Sequence, residues 1–173
     1  MCGSFYFMFE GDFMNEEKYM RQAMKQALKA QEKDEVPIGC VIVKDDKIIA
    51  RGHNLRQSKQ QSYAHAEMVA IQKACRKLGT WRLEDCELYV TLEPCPMCAG
   101  AILQSRIKRV IYGAKDPKGG CIDSCMKMYE TKGFNHYPTV LSGVLEEECA
   151  SLLTNFFRRK RELKKQNKIQ KSL

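Results

Sequence analysis

Apolar residues recur at two periods along the chain, one typical of helices and the other of strands. Where they return every three or four positions, the pattern predicts an amphipathic helix. Val36-Pro37 breaks the first of these helices, and Gly79 stops the second. The helices predicted in this way cover residues 16–33, His65–Leu78, Met97–Gln104 after Pro96, a segment around Ser124–Thr131, and the chain from Leu145 onward.

Short apolar runs between turn residues predict about five strands. The first two flank Lys44-Asp45-Asp46, which is typical of a hairpin. Strands then alternate with helices, which favours an α/β fold whose helices cover a sheet. Because of the hairpin, we predict a mixed sheet, with loops at residues 54–63 and 116–120. The predicted strands are Ile38–Val43, Lys47–Ala50, Leu88–Leu92, Val110–Tyr112 and one near Val140.

The length of 173 residues fits one domain with a substantial core. We predict that this domain covers residues 15–160, with Asn15 as the N-cap of its first helix. An N-terminal extension at 1–14 receives no function, and a basic C-terminal tail covers 161–173. No apolar run approaches the roughly 20 residues of a membrane helix, and Phe5–Phe9 is a poor signal peptide. We therefore predict a cytoplasmic protein without membrane contact.

The net charge of +8 is concentrated at the end of the chain. Residues 156–173 contain eight Lys and Arg against Glu162 alone, a balance of +7. The other 155 residues carry 21 basic and 20 acidic groups, a balance of +1. Such a segment attracts polyanions such as nucleic acids, and it is also typical of a solvated helix end.

The nine cysteines do not indicate a disulfide framework. Their number is odd, and Cys40, Cys75 and Cys149 lie in apolar patterns where cysteine packs as a small hydrophobe. In a reducing cytoplasm we expect free thiols. Only Cys95 and Cys98, in Cys-Pro-Met-Cys, have the spacing of metal ligands.

Three side chains form a candidate zinc site. Cys95 and Cys98 begin one predicted helix, and His65 begins the preceding one. The short strand between these helices can bring their starts side by side, where the helix N-termini favour anionic sulfurs. Three protein ligands leave one tetrahedral position for water, which is the catalytic rather than the structural pattern.

Glu67, two residues after His65, is the predicted proton shuttle, since bound zinc lowers the pKa of its water to about 7. His-Ala-Glu followed by Pro-Cys-Pro-Met-Cys is the known signature of zinc-dependent nucleobase deaminases, among which tRNA adenosine deaminases are a described example. A structural zinc site is the alternative. It would require a fourth protein ligand, for which His53 and His136 are the other histidines.

Further motifs between about Asn15 and Arg161 resemble those of the bacterial tRNA-specific adenosine deaminases. The zinc motif is shared across the cytidine deaminase-like superfamily, whereas the later motifs separate this branch from guanine, cytosine and riboflavin-pathway deaminases. The similar segments are Val36-Pro37-Ile38-Gly39, Gly52-His53-Asn54, Ala64-His65-Ala66-Glu67, Thr80-Trp81-Arg82-Leu83, Leu88-Tyr89-Val90-Thr91-Leu92-Glu93-Pro94-Cys95, Met97-Cys98-Ala99-Gly100-Ala101, Tyr112-Gly113-Ala114, Asp116-Pro117-Lys118-Gly119-Gly120, Asn135-His136 and Phe156-Phe157-Arg158.

The resemblance implies a three-layer α/β/α cytidine deaminase-like fold and a homodimer with one Zn²⁺ per subunit. It implies hydrolytic conversion of adenosine to inosine at the wobble position of an arginine tRNA with an ACG anticodon. The partner would be the tRNA anticodon stem-loop. The implied substrate-binding residues are Asn54 and Ala66 at the base, Asp116 and Lys118 at neighbouring nucleotides, and Asn135, His136, Phe157 and Arg158 at the anticodon loop.

Several of these residues also have ordinary structural interpretations. Asn54 could form a turn, and His136 could be a hydrogen-bonded loop histidine. Phe156 and Phe157 do not easily face the core together, so one is free to stack on RNA and the other packs. The chain departs from the family at Tyr137-Pro138, where a basic or polar residue is common, which removes support for a phosphate contact there.

Two other functions are compatible with the zinc motif. A small-molecule nucleobase deaminase, for guanine or cytosine, would share every zinc residue. A non-enzymatic zinc-binding RNA module would bind tRNA without forming inosine.

Overall fold

A computed structural model describes residues 10–170, with side chains from residue 15. This part of the chain forms four long helices, one short helix and five strands. The elements are α1 (Glu10–Glu32), β1 (Gly39–Lys44), β2 (Lys47–His53), α2 (Arg56–Lys59), α3 (Ala66–Leu78), β3 (Glu87–Leu92), α4 (Pro96–Gln104), β4 (Arg109–Ala114), a 3₁₀ turn (Met128–Glu130), β5 (Thr139–Ser142) and α5 (Glu146–Gln170).

The five strands form one mixed sheet in the order β2-β1-β3-β4-β5. The predicted hairpin forms the antiparallel pair β1 and β2, and β1 also pairs antiparallel with β3. β3, β4 and β5 run parallel. The helix α4 forms the crossover from β3 to β4, whereas the crossover from β4 to β5 consists of loops and one 3₁₀ turn. The α/β fold with a mixed, five-stranded sheet is therefore confirmed.

Helices cover both faces of the sheet, so the domain has three layers. Alternate residues of a strand face opposite sides. Ile42 and Val90 pack with α3 and α4, whereas Val41 and Tyr89 pack with α1 and α5. Both clusters are closed to solvent, which confirms the predicted α/β/α arrangement.

A glycine sets how closely α3 approaches the sheet. A Cβ at Gly52 would lie 2.1 Å from the carbonyl oxygen of Ala66, closer than van der Waals contact allows. Only glycine therefore lets the first turn of α3 rest on the end of β2. This contact fixes the start of α3, where His65 lies.

Two local predictions are wrong. Asn15 is not a helix cap, because α1 begins at Glu10 and residue 15 lies within it. Ser124–Thr131 is not a helix, and only Met128–Glu130 forms a single 3₁₀ turn. The backbone N–H groups of residues 122–124 donate to the Glu93 side chain instead of to a helical ladder.

Two further details concern the predicted loop and tail. The loop at 54–63 contains the four-residue helix α2. The last helix continues without a break past residue 161 to Gln170. Among the helices described between residues 10 and 170, none combines the length and the apolar character needed to cross a membrane.

Candidate metal centre and the adjoining groove

The three predicted zinc ligands meet at the starts of two neighbouring helices. His65 is the N-cap residue of α3, and Cys95 is the N-cap residue of α4, with Pro96 at the first helical position. Neither side chain makes a capping hydrogen bond. Both are therefore available to a metal ion, and Cys98 joins them from the first turn of α4.

The spacing of the three donor atoms fits zinc. The Nδ1 atom of His65 lies 3.6 Å from Sγ of Cys95 and 3.7 Å from Sγ of Cys98. In a tetrahedral site with the usual Zn–N and Zn–S bond lengths, each N···S distance is about 3.6 Å. All three donor atoms lie within 4.8 Å of one another, and the chemistry of one imidazole and two thiols suits this ion.

The thiols of the group are electrostatically unequal. A hydrogen bond from Cys98, together with the nearby His65, lowers the pKa of the Cys95 thiol to about 4. The same hydrogen bond and its own burial raise the pKa of Cys98. One sulfur is thus anionic before any ion binds, which favours the capture of a cation.

Glu67 lies beside this group, in the first turn of α3. Its side chain is 4% exposed, and burial raises the pKa of its carboxyl group to about 7. The carboxyl group also forms a hydrogen bond with Cys98. A carboxylate with a pKa near neutrality, next to a metal group, is suited to proton transfer.

The other two histidines are engaged elsewhere. Nε2 of His53 lies 3.3 Å from Nζ of Lys33, and Nε2 of His136 is 2.6 Å from the carbonyl oxygen of Ile107. In the described part of the chain, the only group with metal-ligand spacing is formed by His65, Cys95 and Cys98. The structural-zinc alternative therefore gains no support from these histidines.

Asn54 is connected to the metal group through the backbone. It follows β2 directly, is buried, and donates its N–H to the carbonyl oxygen of Ile38. The next residue, Leu55, donates to the carbonyl of Ala64, which immediately precedes His65. Ala66 is the first residue of α3 and is fully buried.

An open groove of about 780 Å³ lies between the loop after β4 and the helix α5. Asp116 and Lys118 line it from the loop, where Oδ1 of Asp116 accepts the N–H of Lys118 at 3.0 Å. Lys115 also lines it from the loop, Phe157 and Arg161 line it from α5, and mostly apolar residues form the rest of its walls. These apolar and small residues are Val36, Ile38, Leu92, Pro117, Leu153 and Thr154.

Of the two adjacent phenylalanines, one is buried and the other is exposed, as the sequence predicts. Phe156 is 4% exposed and packs in the domain, whereas Phe157 is 44% exposed and lines the groove. The sequence left open which of them is free, because the phase of α5 depends on its packing partners.

Five predicted substrate residues lie outside the groove lining. Asn54 and Ala66 lie near the start of α3, as described above, and the other three lie elsewhere. Arg158 lies on another side of α5, where it donates to Oδ1 of Asn155. Asn135 and His136 belong to the segment before β5, and His136 is held by Ile107. Sequence reasoning missed Arg161, although its position four residues after Phe157 is a signal for a shared helical face.

A three-layer fold with an imidazole and two thiols at neighbouring helix starts is the arrangement of the cytidine deaminase-like class. The sequence model of MafB19-like deaminases matches residues 14–161. A relative in Bacillus subtilis (strain 168), named tRNA-specific adenosine deaminase, is 58% identical over 150 residues, which cover 87% of this chain and 93% of the relative. The chain therefore belongs to the tRNA-specific adenosine deaminase family.

Two solved structures are also similar. One, described in a study of A-to-I editing by tRNA:A34 deaminases at the wobble position of transfer RNA, is 46% identical with a TM-score of 0.77. That match covers 79% of this chain and 99% of the other. The other structure is a guanine deaminase from Bacillus subtilis, 45% identical with a TM-score of 0.56, covering 57% of this chain and 64% of that one.

Proposed function

We propose that the protein is a zinc-dependent hydrolase that converts adenosine to inosine at the wobble position of tRNA. The observation that carries this proposal is the buried Glu67 carboxyl group beside the His65, Cys95 and Cys98 group. Family membership and the similarity to tRNA deaminases support RNA as the substrate class. As the specific substrate we propose an arginine tRNA with an ACG anticodon, in keeping with the resemblance.

His65, Cys95 and Cys98 would hold the ion, which supplies Lewis-acid activation of a water molecule at neutral pH. Glu67 takes a proton from this water and delivers it to N1 of the adenine ring, while the water oxygen bonds to C6. Glu67 then takes the remaining proton from the oxygen bonded to C6 and transfers it to the exocyclic amine, the C6–N bond breaks, and ammonia leaves. The balance is adenosine plus water to inosine plus ammonia. Burial raises the pKa of the Glu67 carboxyl group to about 7, so the group can both accept and release a proton near neutral pH.

The groove provides a surface for the nucleotides that flank the reacting base. Bases of an anticodon loop are unpaired, so extruding one costs little, and the others stack on aromatic side chains. We assign Phe157 to stacking, and Lys118 and Arg161 to phosphate contacts, since all three line the groove. Asn54 and Ala66 are proposed at the adenine, and Asp116 at a neighbouring nucleotide.

Replacing each adjacent phenylalanine by alanine gives a matched pair of variants. Phe157→Ala is expected to weaken binding of an anticodon stem-loop by about 5- to 100-fold with an unchanged melting temperature, because a stacking surface is lost. Phe156→Ala is expected to destabilise the fold by about 3 kcal/mol or more, because it leaves a cavity. Binding isotherms and thermal melts measure both. Equal losses of RNA affinity in the two variants would show that Phe157 does not contact the RNA.

The basic end of α5 is expected to add affinity for RNA rather than chemistry. Ending the chain after Arg161 removes Lys164, Lys165, Lys168 and Lys171 together with Glu162, a net loss of three positive charges. We expect RNA binding to weaken by about tenfold at low salt and much less at high salt. A loss of affinity that is the same at both salt concentrations would show that this segment acts through packing.

Three predictions from the sequence remain proposals beside this function. We propose a homodimer, a cytoplasmic location and tRNA contacts from Asn135, His136 and Arg158. Size-exclusion chromatography with light scattering tests the dimer. Crosslinking of bound RNA tests the three residues.

The rival function is a small-molecule nucleobase deaminase, which the similarity to a guanine deaminase structure favours. The test incubates the zinc-loaded protein separately with tRNA, guanine, cytosine and adenosine, and measures released ammonia and inosine. We expect inosine at the wobble position and little ammonia from the free compounds. Ammonia from guanine without inosine in tRNA would support the rival, and tRNA binding without any ammonia would support a non-enzymatic RNA module.

A further inference from the structure

Another buried glutamate, outside the candidate metal group, has a set of contacts that the proposed reaction does not explain. Glu93 follows β3 directly, two residues before Cys95, and is 2% exposed. No Lys or Arg among the described residues forms an ion pair with it. A buried carboxylate without an ion pair must find hydrogen-bond donors elsewhere.

All of those donors come from one loop, residues 116–124. Oε1 of Glu93 accepts backbone N–H groups from Ile122 at 3.1 Å, Asp123 at 2.7 Å and Ser124 at 2.9 Å. Oε2 accepts the N–H of Asp116 at 3.0 Å and the hydroxyl group of Ser124. Burial alone would raise the pKa of Glu93, but these hydrogen bonds outweigh it, and the net pKa lies below the usual range. The side chain is therefore an acceptor around which the loop folds.

The loop is shaped to enclose this carboxylate. A Cβ at Gly120 would lie 2.3 Å from Cδ of Glu93, so glycine is required there for space. The N–H of Gly120 donates to the carbonyl of Asp116 at 2.8 Å, and the N–H of Cys121 donates to the carbonyl of Pro94 at 2.9 Å. Both ends of the loop are thus bonded to residues 93–94.

The same two residues lead directly into the metal group at Cys95. On the loop side, Asp116 and Lys118 line the groove. Glu93 therefore connects the metal site to the surface that receives flanking nucleotides, and a change at Glu93 should move one relative to the other.

We propose that Glu93 is a positioning residue that holds the 116–124 loop at a fixed distance from the metal ligands and so sets the affinity for RNA. The proposal rests on the proposed function for its substrate. It assigns Glu93 no contact with the reacting atoms.

The test compares Glu93→Gln with Ser124→Ala and with the control Glu84→Gln, an exposed glutamate that pairs only with Arg82 in a surface ion pair. In Glu93→Gln, an amide NH₂ group takes the place of Oε2 and donates hydrogen bonds instead of accepting them. The N–H of Asp116 and the hydroxyl group of Ser124 therefore lose their acceptor. With an anticodon stem-loop RNA as substrate, we expect Glu93→Gln to raise KM by about tenfold or more and to change kcat less. Ser124→Ala should shift KM in the same direction by a smaller factor, and Glu84→Gln should not shift it.

A second readout does not depend on activity. In Glu93→Gln, amide hydrogen exchange should accelerate in peptides covering 116–124, while peptides covering 95–104 keep their protection and zinc content stays at the level of the unmodified protein. Unchanged KM and unchanged exchange in Glu93→Gln would overturn the proposal. If that variant does not fold, the same two null results in Ser124→Ala would overturn it. Failure of the unmodified protein to form inosine would refute the proposed function and leave the exchange result as an independent test.

Discussion

Glu67→Gln is expected to reduce the turnover of tRNA adenosine by about 10²- to 10⁴-fold, the usual contribution of a general acid and base. The amide has nearly the same volume as the carboxyl group but cannot take up and return a proton. Because Glu67 is buried, replacing a carboxyl group by a neutral amide should not lower thermal stability. The measurement is kcat at matched zinc content, with a thermal melt beside it.

Glu84→Gln serves as the control for this substitution. It removes an exposed carboxylate between the end of α3 and the start of β3, whereas the proposed ligands lie at the start of α3 and after the end of β3. It should retain full turnover. If Glu67→Gln and Glu84→Gln turn over RNA at the same rate, Glu67 has no part in the chemistry, and the proton must travel through another group.

Cys98→Ser is expected to have the second-largest effect, a loss of zinc. One of three protein ligands becomes a hydroxyl group, which is a much weaker ligand for this ion, and we expect affinity to fall by about 100-fold or more. Because bound metal stabilises the folded state, the melting temperature of the zinc-loaded protein should fall as well. Metal analysis after dialysis against a chelator, together with inosine formation, measures the loss.

Cys149→Ser is the matched control, since Cys149 is equally buried but lies on the opposite face of the sheet against Gly113. It should lose some stability and keep its zinc. A Cys98→Ser protein that holds as much zinc as Cys149→Ser would show that Cys98 is not a ligand.

The candidate metal group was predictable because the sequence signals that mark it are local. His65, Cys95 and Cys98 all lie at helix starts that proline, apolar spacing and turn residues mark in the sequence. The two helices meet because a single buried strand connects them, which leaves little freedom in their placement. The five strands and the mixed sheet followed from similar rules. The three layers were implied by the family resemblance, and the strand order β2-β1-β3-β4-β5 is seen only in the structure.

The structure of the 116–124 loop was not predictable in the same way. Apolar spacing at Ser124–Thr131 indicated a helix, but the donors at residues 122–124 bond to Glu93, about thirty positions earlier in the chain. No local sequence pattern predicts hydrogen bonds between residues so far apart in the chain. Glu93 was visible in the sequence only as one letter of a family motif, without a physical role.

The sequence also does not determine which side of α5 faces the groove. Phe157 and Arg161 line the groove, while Arg158 lies on another side and bonds to Asn155. Adjacent positions on a helix differ by about 100°, and only the packing of Phe156 against the domain fixes which residue points where.

A crystal structure of the zinc-loaded protein tests the central claim most directly. We expect one ion per chain, bonded to Nδ1 of His65 and to Sγ of Cys95 and Cys98, with a solvent oxygen as the fourth ligand beside Glu67. A fourth ligand from an amino-acid side chain, or an ion bound elsewhere in the chain, would contradict the account.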